Sequence, residues 1–228
     1  GECAHKHLSN ALSIDPFSQE TQFFSGYVEY MTENFDESLK QLNACLEVNP
    51  MNIPVHAVKT ICLLMLKQYD EAIQYFDALP SEIVVIGEKA GTQALGYALK
   101  KDAINAEKSE RFLNELADGA DGFTADSYRF MLAGATARND EAFEWVEASM
   151  QKQSPLLLLR YSDPLVNPIK KDPRYPKYHQ KLTTDSGVKM HTLCYVPCRL
   201  SYRRRGGNMK YFNFFDTSTS TSTSTSTS

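Results

Sequence analysis

Four positions of this chain recur at one spacing of 34 residues, and that spacing limits the fold more than any other feature of the sequence. An aromatic-Asp-Glu triplet (Phe35-Asp36-Glu37) precedes a small residue at Ser38, and a second (Tyr69-Asp70-Glu71) precedes Ala72. Four residues further on stand Leu42 and Phe76, both large and apolar. Carried backwards, the same step matches Ala4, Leu8, Ala11 and Pro16 to Ser38, Leu42, Cys45 and Pro50. A fixed period of this size marks an array of stacked helical units. The expected fold class is therefore all-α.

The residue types explain the spacing. Each unit is two helices that cannot bury their apolar faces alone, so neighbours must stack. A small residue (Ala4, Ser38, Ala72) fits where the second helix crosses the first. One turn along the same face, Leu8, Leu42 and Phe76 fill the space between neighbours. Pro16 and Pro50 follow helix ends, where proline cannot continue the helix. Phe35 and Tyr69 are placed to close the turn inside each hairpin.

These residues at this period resemble the tetratricopeptide repeat (TPR) family. The resemblance implies an α-solenoid of antiparallel helical hairpins, a TPR-like superhelix. Units are expected near 1–17, 18–51, 52–80, 83–119 and 123–153. Beyond Pro80 the exact register is lost, but helical hairpins continue, with helices predicted over 83–100, 104–118, 124–137 and 139–152. The last of these reads NDEAFEWVEASM, with Ala142 at the small position and Trp145, the only tryptophan, in a packing role.

Residues 154–183 should close the array. The run after AFEWVE, with Asp163-Pro164-Leu165, Asn167-Pro168-Ile169 and Asp172-Pro173-Arg174-Tyr175, resembles the closing segment of repeat regions in bacterial regulatory and signalling proteins. In that resemblance the output domain lies elsewhere in the polypeptide. Asp163-Pro164 and Asp172-Pro173 read as helix starts, with Asp as N-cap and Pro in the first helical position. The chain opens at Gly1 within what should be a second helix, so it is expected to be a piece of a longer protein.

Charge separates body from tail. Between Lys189 and Lys210 stand six basic side chains and no acid, and Asp216 is the one acid after them. The whole chain carries −4 and the stretch from Lys189 onward +5, which leaves −9 on the remainder. The chain ends in six Thr-Ser pairs with nothing to bury, so 184–228 is expected to be disordered. It reads as a linker, an unusual extension or sequence continued past the true end in another frame. The tail's basic stretch 189–210, including Arg203-Arg204-Arg205, supports an alternative reading as a nucleic-acid-associated regulator through phosphate contacts. The acidic body argues against nucleic acid as the main partner.

No run of about eighteen apolar residues occurs, so no membrane span is expected. Five cysteines, an odd number, suit a reducing cytoplasm better than a disulfide framework. His191, Cys194 and Cys198 lie close together but lack a fourth ligand at finger spacing, and His5 and His7 point to different sides of a helix. No metal or other cofactor is expected. Phosphate-loop, HExxH and GxSxG patterns are absent, so no catalytic residues are assigned and the chain is read as no enzyme.

What remains is a binding surface for a protein or peptide, either a separate partner or another domain of the parent chain. The first helix of each unit would line the concave side. Its candidate contact residues are Phe23, Tyr27 and Tyr30 on one helix and Ala57, Ile61 and Leu64 on the next. Apolar and aromatic character there points to an apolar or helical peptide rather than a terminal carboxylate.

Overall fold

The computed structural model describes residues 2–15, 18–117, 122–152, 154 and 157–185. The described residues are all-helical and contain no strand. Eleven α-helices follow one another: α1 (Glu2–Ile14), α2 (Gln19–Met31), α3 (Phe35–Val48), α4 (Ile53–Met65), α5 (Tyr69–Gln74), α6 (Ile86–Lys100), α7 (Ala103–Leu116), α8 (Gly122–Ala135), α9 (Asn139–Gln151), α10 (Leu157–Tyr161) and α11 (Tyr175–Asp185). Short 3₁₀ segments occupy Tyr75–Ala78, Ser81–Ile83 and Pro164–Lys171. None of the described helices is long and apolar enough to cross a membrane. Thr184 and Asp185, expected to begin the disordered tail, instead complete α11, while Pro16 and the tail from residue 186 lie outside the described residues.

Helix starts follow from local chemistry. Ser18 accepts a hydrogen bond from the Thr21 amide, Asn52 from Val55 and Asp102 from Asn105, each satisfying an amide that the helix leaves free. Asp163 accepts from the Leu165 amide at 2.9 Å, with Pro164 just behind it. Consecutive helices pack on one another from α2 to α9. The first helices also touch in sequence, α2 with α4, α4 with α6 and α6 with α8, and α8 packs on the segment Pro164–Lys171.

Four turns share one backbone form. Glu33, Lys67, Lys101 and Ala137 have φ of 66°, 62°, 66° and 57°. In the first, the Glu33 amide donates to Tyr30 O and the Asn34 amide to Glu29 O. The same pair recurs as Lys67 to Leu64 with Gln68 to Leu63, as Lys101 to Ala98 with Asp102 to Tyr97, and as Ala137 to Gly134 with Arg138 to Ala133. Each is a Schellman closure of a first helix. Their spacing is 34, 34 and 36 residues.

The 34-residue spacing of the turn thus persists for one step past Pro80, where the exact register is expected to be lost. Side chains conceal it. The third unit carries Glu110 where Leu42 and Phe76 stand in the first two, and Glu110 is paired to Arg138 at 2.7 Å instead of filling a core. A second departure lies in the second helix of the unit expected near 52–80. Its α-helical part ends at Gln74 and tightens into a 3₁₀ turn, because Leu79, held extended ahead of Pro80, cannot continue an α-helix.

A left-handed conformation at a residue with a Cβ costs about 1–2 kcal/mol, which glycine avoids. Lys67→Gly, at an exposed position, should therefore stabilise the protein by about 1 kcal/mol in urea unfolding. Unchanged or reduced stability would contradict the left-handed turn.

Candidate functional site

Side chains of α6, α8 and the 3₁₀ segment converge on one buried guanidinium, and α2 joins them through Asp163. Arg160, from α10, is 5 % exposed. Its terminal nitrogens lie 3.9 Å from Glu88 of α6 and 3.8 Å from Asp163 at the start of the 3₁₀ segment. The guanidinium carbon sits 5.5 Å from the centre of the Tyr128 ring of α8. Tyr128 donates its hydroxyl to Glu88, and Tyr30 of α2 donates to Asp163 at 2.5 Å. Asn167 donates to Glu33 at 3.1 Å. Elements 133 residues apart in sequence are thus joined through side chains.

Packing explains why Tyr128 reaches this place. Gly91 of α6 lies against it, and a Cβ there would fall 2.0 Å from the Tyr128 ring. Gly87 similarly admits Thr124, so the two helices approach closely where they carry no side chain. Phe130 stacks on Tyr161 at 5.9 Å, and Tyr161 on Tyr175 at 4.6 Å.

Burial sets the protonation of the cluster. It pushes the Tyr30 hydroxyl well above its ordinary range, and the Asp163 carboxylate adds to the effect. Burial and then Glu88 do the same at Tyr128. Both phenols stay protonated and donate. Burial also pushes the Asp163 carboxyl up, against the opposing pull of Arg160. At Arg160 burial disfavours the charge, but the Glu88 and Asp163 carboxylates oppose it and hold the guanidinium charged. Such an arrangement ties elements together. The guanidinium can only donate, and the two phenols, held neutral, donate to the carboxylates of Glu88 and Asp163.

The residues singled out from sequence fall into distinct places. Tyr30 is buried with its hydroxyl on Asp163, while Ala57, Ile61 and Leu64 are buried in the core. Phe23 and Tyr27 are half-buried and stack at 6.1 Å, with Tyr27 stacked in turn on Tyr30. Among the repeat positions, Leu8, Leu42, Ala72, Phe76 and Ala142 are buried. Ser38 donates to the Gly26 carbonyl at 2.8 Å, where a Cβ on Gly26 would meet Leu42 at 3.0 Å. Pro50 is exposed, and Trp145 is half-buried beneath the Arg129 guanidinium at 3.8 Å. The side chain of Ala4 and all of Pro16 lie outside the described residues.

Sequence reasoning did not single out Arg160, Glu88 or Tyr128. One signal was available: Arg160 is the lone charge in the run Leu156-Leu157-Leu158-Leu159-Arg160-Tyr161. A charge in such a run must find partners, because an unpaired buried ion is costly. Asp163 was read as an N-cap, and it fills that role while also accepting from Tyr30.

A second polar group joins α4 to the end of α5. His56 is 4 % exposed, with Nε2 2.8 Å from the Pro50 carbonyl oxygen and Nδ1 2.8 Å from the Tyr75 hydroxyl. The carbonyl can only accept, so neutral His56 donates from Nε2 and accepts from Tyr75 at Nδ1. The Lys59 ammonium lies 4.9 Å from the centre of the Tyr75 ring.

No family model matches the chain, and comparison with curated proteins and with solved structures returns no match. Among the described residues, no group of three or more His, Cys, Asp or Glu side chains is placed to hold a metal ion. His191, Cys194 and Cys198 lie outside them.

Burial holds the His56 pKa below its ordinary value, the bond to Pro50 opposes this, and Lys59 adds to it. The unfolded chain therefore takes up this proton first as pH falls. The His56 contribution is fully present above about pH 6.5 and is lost as pH drops through the lower folded value. His56→Gln should flatten the melting-temperature profile between about pH 7 and 5. An unaltered slope would contradict a buried neutral His56.

Proposed function

We propose that this chain is a non-catalytic protein–protein interaction scaffold, an α-solenoid of tetratricopeptide type and the regulatory or sensing repeat region of a longer bacterial protein in the cytoplasm. The observation that carries the reading is the recurrent first-helix closure at Glu33, Lys67, Lys101 and Ala137, together with the packing of α2, α4, α6 and α8 in sequence. Helical pairs with one turn form and one stacking partner are the units of a repeat array. The first-helix side collects half-buried aromatic surface at Phe23 and Tyr27, suited to an apolar or helical peptide from a partner or from the parent chain.

The whole chain serves as bait in a pull-down, beside Tyr27→Glu on the first-helix side and Ile104→Glu on α7, where Ile104 is 83 % exposed. The expected outcome is a specific protein retained by the unaltered chain and by Ile104→Glu, and lost with Tyr27→Glu in a variant that keeps its helical circular dichroism. Loss with Ile104→Glu alone, or no retained protein, would contradict the reading.

A further inference from the structure

The segment Leu157–Lys171 lies on the first helices as a bound peptide would. It reaches α6 through Arg160 and Glu88, α8 through Tyr161 on Phe130, α2 through Asp163 on Tyr30, and the turn after α2 through Asn167 on Glu33. Val166 fills the space that Gly134 leaves, where a Cβ would stand 2.9 Å from it. Leu165, Val166 and Ile169 are buried on this surface.

Its hold is weaker than its burial suggests. The Arg160 Nε is buried with no hydrogen-bond partner, and the contacts of the guanidinium to Glu88 and Asp163, 3.9 Å and 3.8 Å, exceed hydrogen-bond length. A buried ion paired at such distances recovers little of its desolvation cost. The backbone here is 3₁₀, whose hydrogen-bond geometry is poorer than that of an α-helix. On the receiving side stand Glu33 and Glu88, two tyrosine hydroxyls and the Phe130 ring, an acidic and aromatic surface.

We propose that residues 157–171 are an internal ligand of the first-helix face, and that the partner is a peptide of the same chemistry which displaces them. That peptide carries a cation for Glu88 beneath the Tyr128 ring. Three residues later it has an Asp-Pro pair for Tyr30, with two aliphatic residues behind it to fill the ground beside Gly134. The proposal rests on the scaffold reading and names what the scaffold holds.

A fluorescein-labelled peptide of residues 157–175 is titrated with the full chain and with the full chain carrying Asp163→Ala and Asn167→Ala. Both substitutions lie on the segment, so the receiving helices are unchanged. Loosening the internal ligand raises the fraction of open chain. The peptide should then bind the variant about tenfold or more tighter than the unaltered chain. A scrambled peptide should bind neither. A folded variant that binds the peptide no tighter than the unaltered chain, or no better than the scramble, overturns the proposal. Hydrogen exchange on the unaltered chain tests it without any variant. The amides of Leu165, Val166 and Ile169 should exchange faster than those of α4, and equal protection overturns it. A chain that ignores the peptide but still retains a protein sensitive to Tyr27→Glu keeps the scaffold reading and loses this one.

Discussion

The buried Arg160 guanidinium lies where α6, α8 and the closing segment meet, and Asp163 beside it ties that segment to α2. Removing a buried cation from water is costly, and the cost is recovered only where acceptors are brought to it. Here Glu88 arrives from α6 and Asp163 from the closing segment, while Tyr128 and Tyr30 donate to those carboxylates from α8 and α2. Removing one member would strand the others, at about 3–5 kcal/mol for a broken buried pair. Five side chains from five elements therefore orient the closing segment, although the long contacts of Arg160 leave it only loosely tied.

Much of the fold was legible because helix pattern and caps are local. The second helix of the unit expected near 18–51 is observed as Phe35–Val48, and Asp163 caps the segment that Pro164 begins. The crossing of α2 and α3 follows from two small residues, since Ser38 reaches the Gly26 carbonyl where a larger side chain would part the helices. Past Pro80 the side chains ceased to report the repeat. Glu110 occupies an apolar position of the earlier units and is balanced by Arg138, two residues whose relation appears only in three dimensions.

The candidate site was far less legible, for a physical reason. A stripe of aromatic residues on a first helix can face a ligand or a neighbouring unit, and the sequence pattern is the same for both. Burial separates them. Ile61 and Leu64 pack inside, Tyr30 spends its hydroxyl on Asp163, and Phe23 and Tyr27 keep part of their surface. The ionic cluster joins residues as far apart as Tyr30 and Asp163, and a long-range pairing of this kind leaves no periodic trace. Four Schellman turns at Glu33, Lys67, Lys101 and Ala137, by contrast, repeat almost on period although only the first two belong to units with a shared side-chain signature.

The contact between Tyr30 and Asp163 carries the account, because it links α2 to a segment 133 residues away. A double-mutant cycle with Tyr30→Phe, Asp163→Asn and the two together, read by urea unfolding of the full chain, tests it directly. Direct contact predicts a coupling of about 1 kcal/mol or more. Additive effects, with coupling near zero, would mean that α2 and the closing segment do not meet in solution.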